Sequence, residues 1–301
     1  MLKRPTTIAE MRESQKGFAT EEGIALGLAY RPQPTEVFIT PYPKCGTTWV
    51  QQIVHGLLTR GSMDFDEITA VVPWIELAHD MGIEVAPQSP PACPRAFKSH
   101  LDWEQIPKGG CYINVYRDPR DALLSMYRFM EGWIFETGAI SITGYALEFF
   151  LQRESEQSYW SHAASWWRQR DRDDVLLLCF EHMKLDLSAT VRRIAEFVGV
   201  ELDDELHELV VEQSSIEFMK RHARQFDDHL IRETRDEPCG LPPGGDSSKV
   251  RDGKVGGAKL VLSGDIVEQL EQRWHEQLTS VFGLANYEDL QRRLASRESA
   301  L

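Results

Sequence analysis

The sequence predicts an α/β fold, one domain spanning residues 1–301 with a central parallel sheet of about four to five strands flanked by helices. Two observations predict it. Short apolar runs alternate with longer amphipathic stretches, the pattern of parallel strands joined by crossover helices that cover both faces of a sheet. A chain of 301 residues with 42% hydrophobic content, eight Trp and thirteen Phe can also fill one large core.

In chain order, EVFIT (36–40) is the first strand. Past Gly46, the side chains of Val50, Ile53, Val54 and Leu57 recur at helical spacing and define one buried helix face. RAFKSH (95–100) is the second strand and CYINVYR (111–117) the third. Asp118 and Pro119 then supply an N-cap and a first-turn proline to the helix in DPRDALLSMYRF, where Arg120, Asp121 and Arg128 read as helix-surface charges. A Trp-rich helix around HAASWWRQR leads into the fourth strand, DVLLLCF (174–180). Helices from about Ser188 to Val198 and from about Asp265 to Leu278 follow, the latter as a packed terminus. Residues 59–94 and 222–258 break the pattern and are expected to be mobile loops that act as lids or binding loops.

Composition narrows the function. A formal net charge of −14 argues against nucleic-acid or anionic-membrane partners, which need a basic field. The five cysteines are odd in number and widely spaced without a C-x-x-C pair, which argues for a reducing compartment and against a structural zinc. No apolar run approaches the ~20 residues of a membrane span, and the N-terminus lacks a signal-peptide pattern, so a cytoplasmic protein is expected.

The chemistry concentrates in YPKCGTTWVQQIV, which begins at Tyr42 on the turn between the first strand and its helix. A glycine turn at a helix N-terminus presents unpaired N–H groups and a positive dipole end to an anion. Lys44, Thr47 and Thr48 add a charge and two hydroxyls. The order differs from a Walker A loop, whose Lys follows its last Gly; here Lys44 precedes Gly46.

P-K-x-G-T-T-W before an apolar helix resembles the loop by which cytosolic sulfotransferases hold the 5′-phosphosulfate of 3′-phosphoadenosine 5′-phosphosulfate (PAPS). The resemblance runs from about Val37 to Glu268 through FKSHL (97–101), VYRDPRDALLSMYRF (115–129), LCFEHMKLD (178–186), SSIEFMK (214–220) and VRDGKVGGAKLVLS (250–263). It implies a P-loop-like nucleotide-binding fold and sulfonate transfer from PAPS to a hydroxyl or amine of a small acceptor, leaving PAP. Lys44 would hold the bridging and sulfonyl oxygens, Thr47 and Thr48 the 5′-phosphate, and Trp49 the adenine. Lys98 would steady the sulfonyl group and His100 would be the general base, an imidazole being suited to proton transfer near neutrality. Arg117 and Ser125 would take the 3′-phosphate, a guanidinium being a bidentate phosphate donor. No metal is required, because fixed positive charge can stabilise a loose, charge-spread transition state.

Several positions depart from the family pattern. Arg251 and Gly253 match the arginine and glycine of the segment that closes over the 3′-phosphate, but Asp252 replaces a Lys. Cys45 replaces a Ser, Phe180 a Tyr, and Ile216 an aromatic beside the adenine, while Ser214 keeps a hydroxyl where Thr is usual. The acceptor pocket is expected from Trp74, Leu77, Met81, Trp133, Phe135, Tyr145 and Phe149, walls suited to a small apolar phenol or alcohol. Of the family's dimer motif, Lys259 and Glu268 are in register, while Ser263 and Gly264 replace Thr and Val, so a monomer and a homodimer both stay open. The competing expectations are a P-loop nucleotide kinase, which would prefer ATP, and a non-catalytic nucleotide-binding scaffold, which would not depend on His100.

Overall fold

In the computed structural model, the described residues are 2–85, 94–152, 158–247, 249–250, 253 and 255–298. Four strands form one parallel sheet: β1 (Val37–Ile39), β2 (Ala96–Lys98), β3 (Cys111–Tyr116) and β4 (Val175–Cys179), in the order β2-β1-β3-β4. In register, Val37 pairs with both Ala96 and Cys111, and Tyr112 with Val175. The sheet thus has the lower of the expected strand numbers. β1 is flanked on one side by the next strand in sequence and on the other by the one after that. Such a reversal of strand order opens a crevice at the carboxyl ends of the strands.

Alternation of side chains divides the core between the two faces. Phe38, Phe97, Tyr112, Tyr116 and Leu177 point to one cluster, where the helix Pro119–Met130 buries Ala122, Leu123, Met126 and Met130 and the Trp-rich helix Tyr159–Trp167 packs. Val37, Ile39, Ile113, Val115, Leu176 and Leu178 point to the other, against the helices Thr47–Leu58 and Leu187–Phe197. Both faces being covered, the strands are mostly apolar, with Asn114 and Lys98 as buried polar exceptions.

The helix after β3 starts where Asp118 and Pro119 set it, with the Asp118 carboxylate accepting from Arg120 N at 2.9 Å. The chain does not close on the helix near 265–278. Gly264–Trp274 continues through a π turn to Thr279, Gly283 ends it in the left-handed region at φ 64°, and a further helix, Tyr287–Glu298, buries Leu290 and Leu294 in the first cluster. The segments outside the strand–helix pattern also carry structure. Ile68–Val71 is helical, and Trp74 bridges to Lys98, with Lys98 N donating to Pro73 O at 2.8 Å. In 222–258, a 3-10 turn at Ala223–Phe226 and the helix His229–Arg235 bury Phe226, Ile231 and Arg235. No helix of the described residues is long and apolar enough to cross a membrane.

Candidate functional site

All four strands deliver residues to one cleft of about 880 Å³ at their carboxyl ends. Lys44, Gly46, Thr47, Thr48 and Trp49 come from the turn after β1, Lys98 and His100 from β2, Arg117 from β3 and Phe180 from β4. Ser125 enters from the helix after β3, and Ser214, Ile216 and Gly253 from the later chain. Cys45 does not reach it; the side chain is fully buried in the core, and burial pushes its thiol up to about 12. Arg251 and Asp252 lie outside the described residues.

The turn is tightly shaped. Lys44 and Gly46 both have positive φ, 69° and 106°, and a Cβ on Gly46 would come within 3.1 Å of the Phe180 ring. Glycine is therefore needed here for conformation and for space. The Lys44 carbonyl accepts from Arg117 Nη1 at 2.8 Å, so β3 braces the turn of β1. The Lys44 ammonium lies over the Phe129 ring at 3.9 Å, and the Lys98 ammonium over Trp74 at 4.0 Å. Burial first, then the neighbouring Lys249, pushes Lys44 down to about 7 and Lys98 to about 8, with Asp228 acting in the opposite direction on both.

His100 is fixed in orientation and tautomer. Its Nδ1 lies 2.6 Å from Pro41 O. A carbonyl can only accept, so Nδ1 carries the proton and, in the neutral ring, Nε2 carries the lone pair. The imidazole is held neutral, because burial first, then Lys98, lowers its pKa well below the ordinary value. Glu76 steadies the same strand end, accepting from Ser99 Oγ and His100 N, each at 3.0 Å.

At the other end, Trp49 packs edge-on to Phe180 at 5.5 Å and donates its indole N–H to Ser214 O at 2.8 Å. The Arg117 guanidinium lies 4.3 Å from the Phe180 ring centre. Thr47 Oγ1 and Ser214 Oγ are buried without hydrogen-bond partners among the described residues, which buried hydroxyls avoid unless a ligand or water serves them. Asp121, read from sequence as a surface charge, is buried instead and accepts from Gly256 N at 2.6 Å and Ala258 N at 3.0 Å, tying the late segment to the helix after β3.

Of the seven residues expected in the acceptor wall, Trp74 and Trp133 line the cleft. Leu77, Phe135, Tyr145 and Phe149 are buried in the first core cluster, and Met81 packs against it. The cleft is also lined by the apolar residues Phe18, Met126, Phe129, Met130, Ile134 and Ile231. Met126, Phe129 and Met130 recur at i, i+3 and i+4 on a helix whose start was legible, a signal that could have found them. Phe18, Asp228 and Lys249, which also line the cleft, lie in stretches without periodicity and gave no such signal.

The sequence model described as the sulfotransferase domain matches residues 34–282. Among curated proteins, Sulfotransferase 1B1 of Canis lupus familiaris is 31% identical over 203 residues, covering 64% of this chain and 68% of its own length. Sulfotransferase 1B1 of Mus musculus is 28% identical over 262 residues, covering 83% and 85%. Among solved structures, mouse sulfotransferase SULT7A1 complexed with PAP superposes with a TM-score of 0.67 at 18% identity, over 94% of this chain and 95% of that one. Retinol dehydratase in a complex with retinol and PAP gives 0.69 at 17%, over 92% and 96%. These two structures speak for the fold.

Proposed function

The chain belongs to the sulfotransferase domain family, and on that premise we propose that it moves a sulfonate group from PAPS to a hydroxyl of a small apolar acceptor, with His100 as general base. The observation that carries the proposal is the meeting of Lys44, Lys98 and a tautomer-fixed His100 at the ends of adjacent strands. The partnerless Thr47 and Ser214 hydroxyls and the glycine-only turn at Gly46 fit an oxygen-rich nucleotide in the same cleft.

When bound, PAPS supplies an activated sulfonyl group on a phosphate leaving group. His100 Nε2 takes the proton of the acceptor hydroxyl as its oxygen bonds to sulfur. Lys44 and Lys98, in their ammonium forms, place positive charge where the bridging and sulfonyl oxygens gain negative charge as the bridging S–O bond breaks. The rings of Phe129 and Trp74 that cover them lower the local polarity and strengthen that attraction. Arg117 and Ser125 take the 3′-phosphate, which separates PAPS from ATP. Phe18, Trp74, Met130, Trp133 and Ile231 exclude water around the acceptor.

The test needs no acceptor. Calorimetric titration with PAP and with ADP should give tight binding of the first and little of the second. Equal affinities, or none for either, would remove the proposal.

A further inference from the structure

Lys249 and Asp228 line the same cleft as Lys44, Lys98 and His100, yet the mechanism above gives them nothing to do. They form an ion pair between Lys249 Nζ and Asp228 Oδ1, with side chains only 7% and 3% exposed. Burying both charges is costly, and such a pair is weak evidence for stability. Asp228 carries a second cost. It stands at the N-cap of the helix His229–Arg235 with φ 60°, a left-handed conformation disfavoured for residues other than glycine. Aspartate is among the best capping residues, but this one makes no capping hydrogen bond. Its carboxylate is turned into the cleft toward Lys249.

The surrounding chain holds that arrangement. Ser247 Oγ donates to Asp227 O at 2.9 Å, and Arg232 bonds the same carbonyl. His229 sits between Asp227 and Asp66 at 2.7 and 2.9 Å. These tethers fix both partners over the strand ends. Lys249 is the nearby charge that most lowers both Lys44 and Lys98, while Asp228 opposes it on each; Arg117 also faces Lys44, and Glu67 and Glu76 face Lys98. The pair therefore stands among the cationic groups of the sheet side.

We propose that Lys249 is a further binding cation of the cleft, which joins Lys44 and Lys98 in taking the anionic 5′ end of the donor nucleotide, and that Asp228 is its counter-ion before the nucleotide binds. The proposal rests on the sulfotransferase reading. Ligand entry exchanges one anion for another: the 5′ group displaces the carboxylate, and Lys249 is neutralised before and after.

The experiment is calorimetry of the full chain and of Lys249→Met and Asp228→Asn, each titrated with PAP and with adenosine 3′-monophosphate, which lacks the 5′ group. Loss of one charge-assisted contact predicts PAP binding weaker by about tenfold or more in Lys249→Met, with adenosine 3′-monophosphate unchanged. Asp228→Asn should bind PAP several-fold more tightly, the competing carboxylate being gone. Unaltered PAP affinity in Lys249→Met overturns the proposal and leaves the sulfotransferase reading standing. Equal weakening of both nucleotides, or PAP weakened as much by Asp228→Asn, makes the pair structural and also overturns it. If the unaltered protein binds neither nucleotide, the sulfotransferase reading falls and takes the proposal with it.

Discussion

On the sheet side of the cleft, Lys98 ends a strand and Lys44, His100 and Arg117 each follow one within a few residues, all in one hydrogen-bonded sheet. On the facing side, Asp228, Lys249 and Gly253 sit among short helices and turns, held by local side-chain tethers such as Asp121 to Gly256 N and Ala258 N and Lys184 to Gly253 O. The strand ends cannot move apart without breaking the sheet, whereas each tether opens alone. Groups that must meet within a few tenths of an ångström are better placed on the first side. Groups that must let a nucleotide in and out are better placed on the second.

The sharpest way to break the comparison is His100→Ala. Loss of a general base should lower turnover by about 10²–10⁴-fold and leave PAP affinity unchanged by calorimetry. A parallel loss of affinity would move His100 from chemistry to binding.

Lys98→Met should cost turnover about 10²–10³-fold, as for removal of one fixed electrostatic contact. Its melting temperature should hold or rise, because an apolar chain replaces a buried ammonium against Trp74. Full activity in a destabilised variant would contradict the assignment.

On the facing side, Asp121→Ala leaves two backbone N–H groups without their acceptor and should cost about 1–3 kcal/mol of stability. The nucleotide KM should rise while kcat changes little. A kcat loss as large as that of Lys98→Met would show that the two sides are not independent.

The smallest effect is in the pH profile. Lys44 at about 7 and Lys98 at about 8 are both lowered, chiefly by burial. Their ammonium forms are the useful ones, so kcat/KM should fall as pH rises through 7–8. His100 must be neutral and its pKa is depressed, so the acid limb should lie well below 6.5. In kcat the alkaline limb should move upward, because a bound anion favours the charged lysines more than Asp228 alone does. Identical alkaline limbs in kcat and kcat/KM would deny that either lysine meets the ligand.

The same division governs what the sequence made legible. The strands could be read because burial on both faces leaves short, mostly apolar runs, and the helix at Asp118–Pro119 because its cap chemistry is local. The cleft residues beside strands were named through the family resemblance carried by the motifs at those strand ends. Of the expected acceptor wall, Trp74 and Trp133 reach the cleft and the rest do not line it, because an aromatic residue fits a core and a pocket equally well: Phe135 and Tyr145 are completely buried, while Phe18 and Phe129 reach the cleft. Asp121 carries a charge on a helix, and only the fold reveals the backbone N–H groups that face it. The helix Tyr287–Glu298 was missed for a related reason: it follows a left-handed Gly283 and is mostly polar, with a narrow apolar stripe.

The hydrogen bond from His100 to Pro41 makes strand pairing a matter of proton bookkeeping. Ile39 is in register with Lys98, and Pro41 and His100 each lie two residues past the ends of those strands. The ladder that aligns β1 with β2 therefore also decides which imidazole nitrogen is born with a hydrogen. A slip of the two strands by one residue would do more than misplace a side chain. It would remove the carbonyl that selects the tautomer, and the same histidine could then present an N–H where a lone pair is wanted.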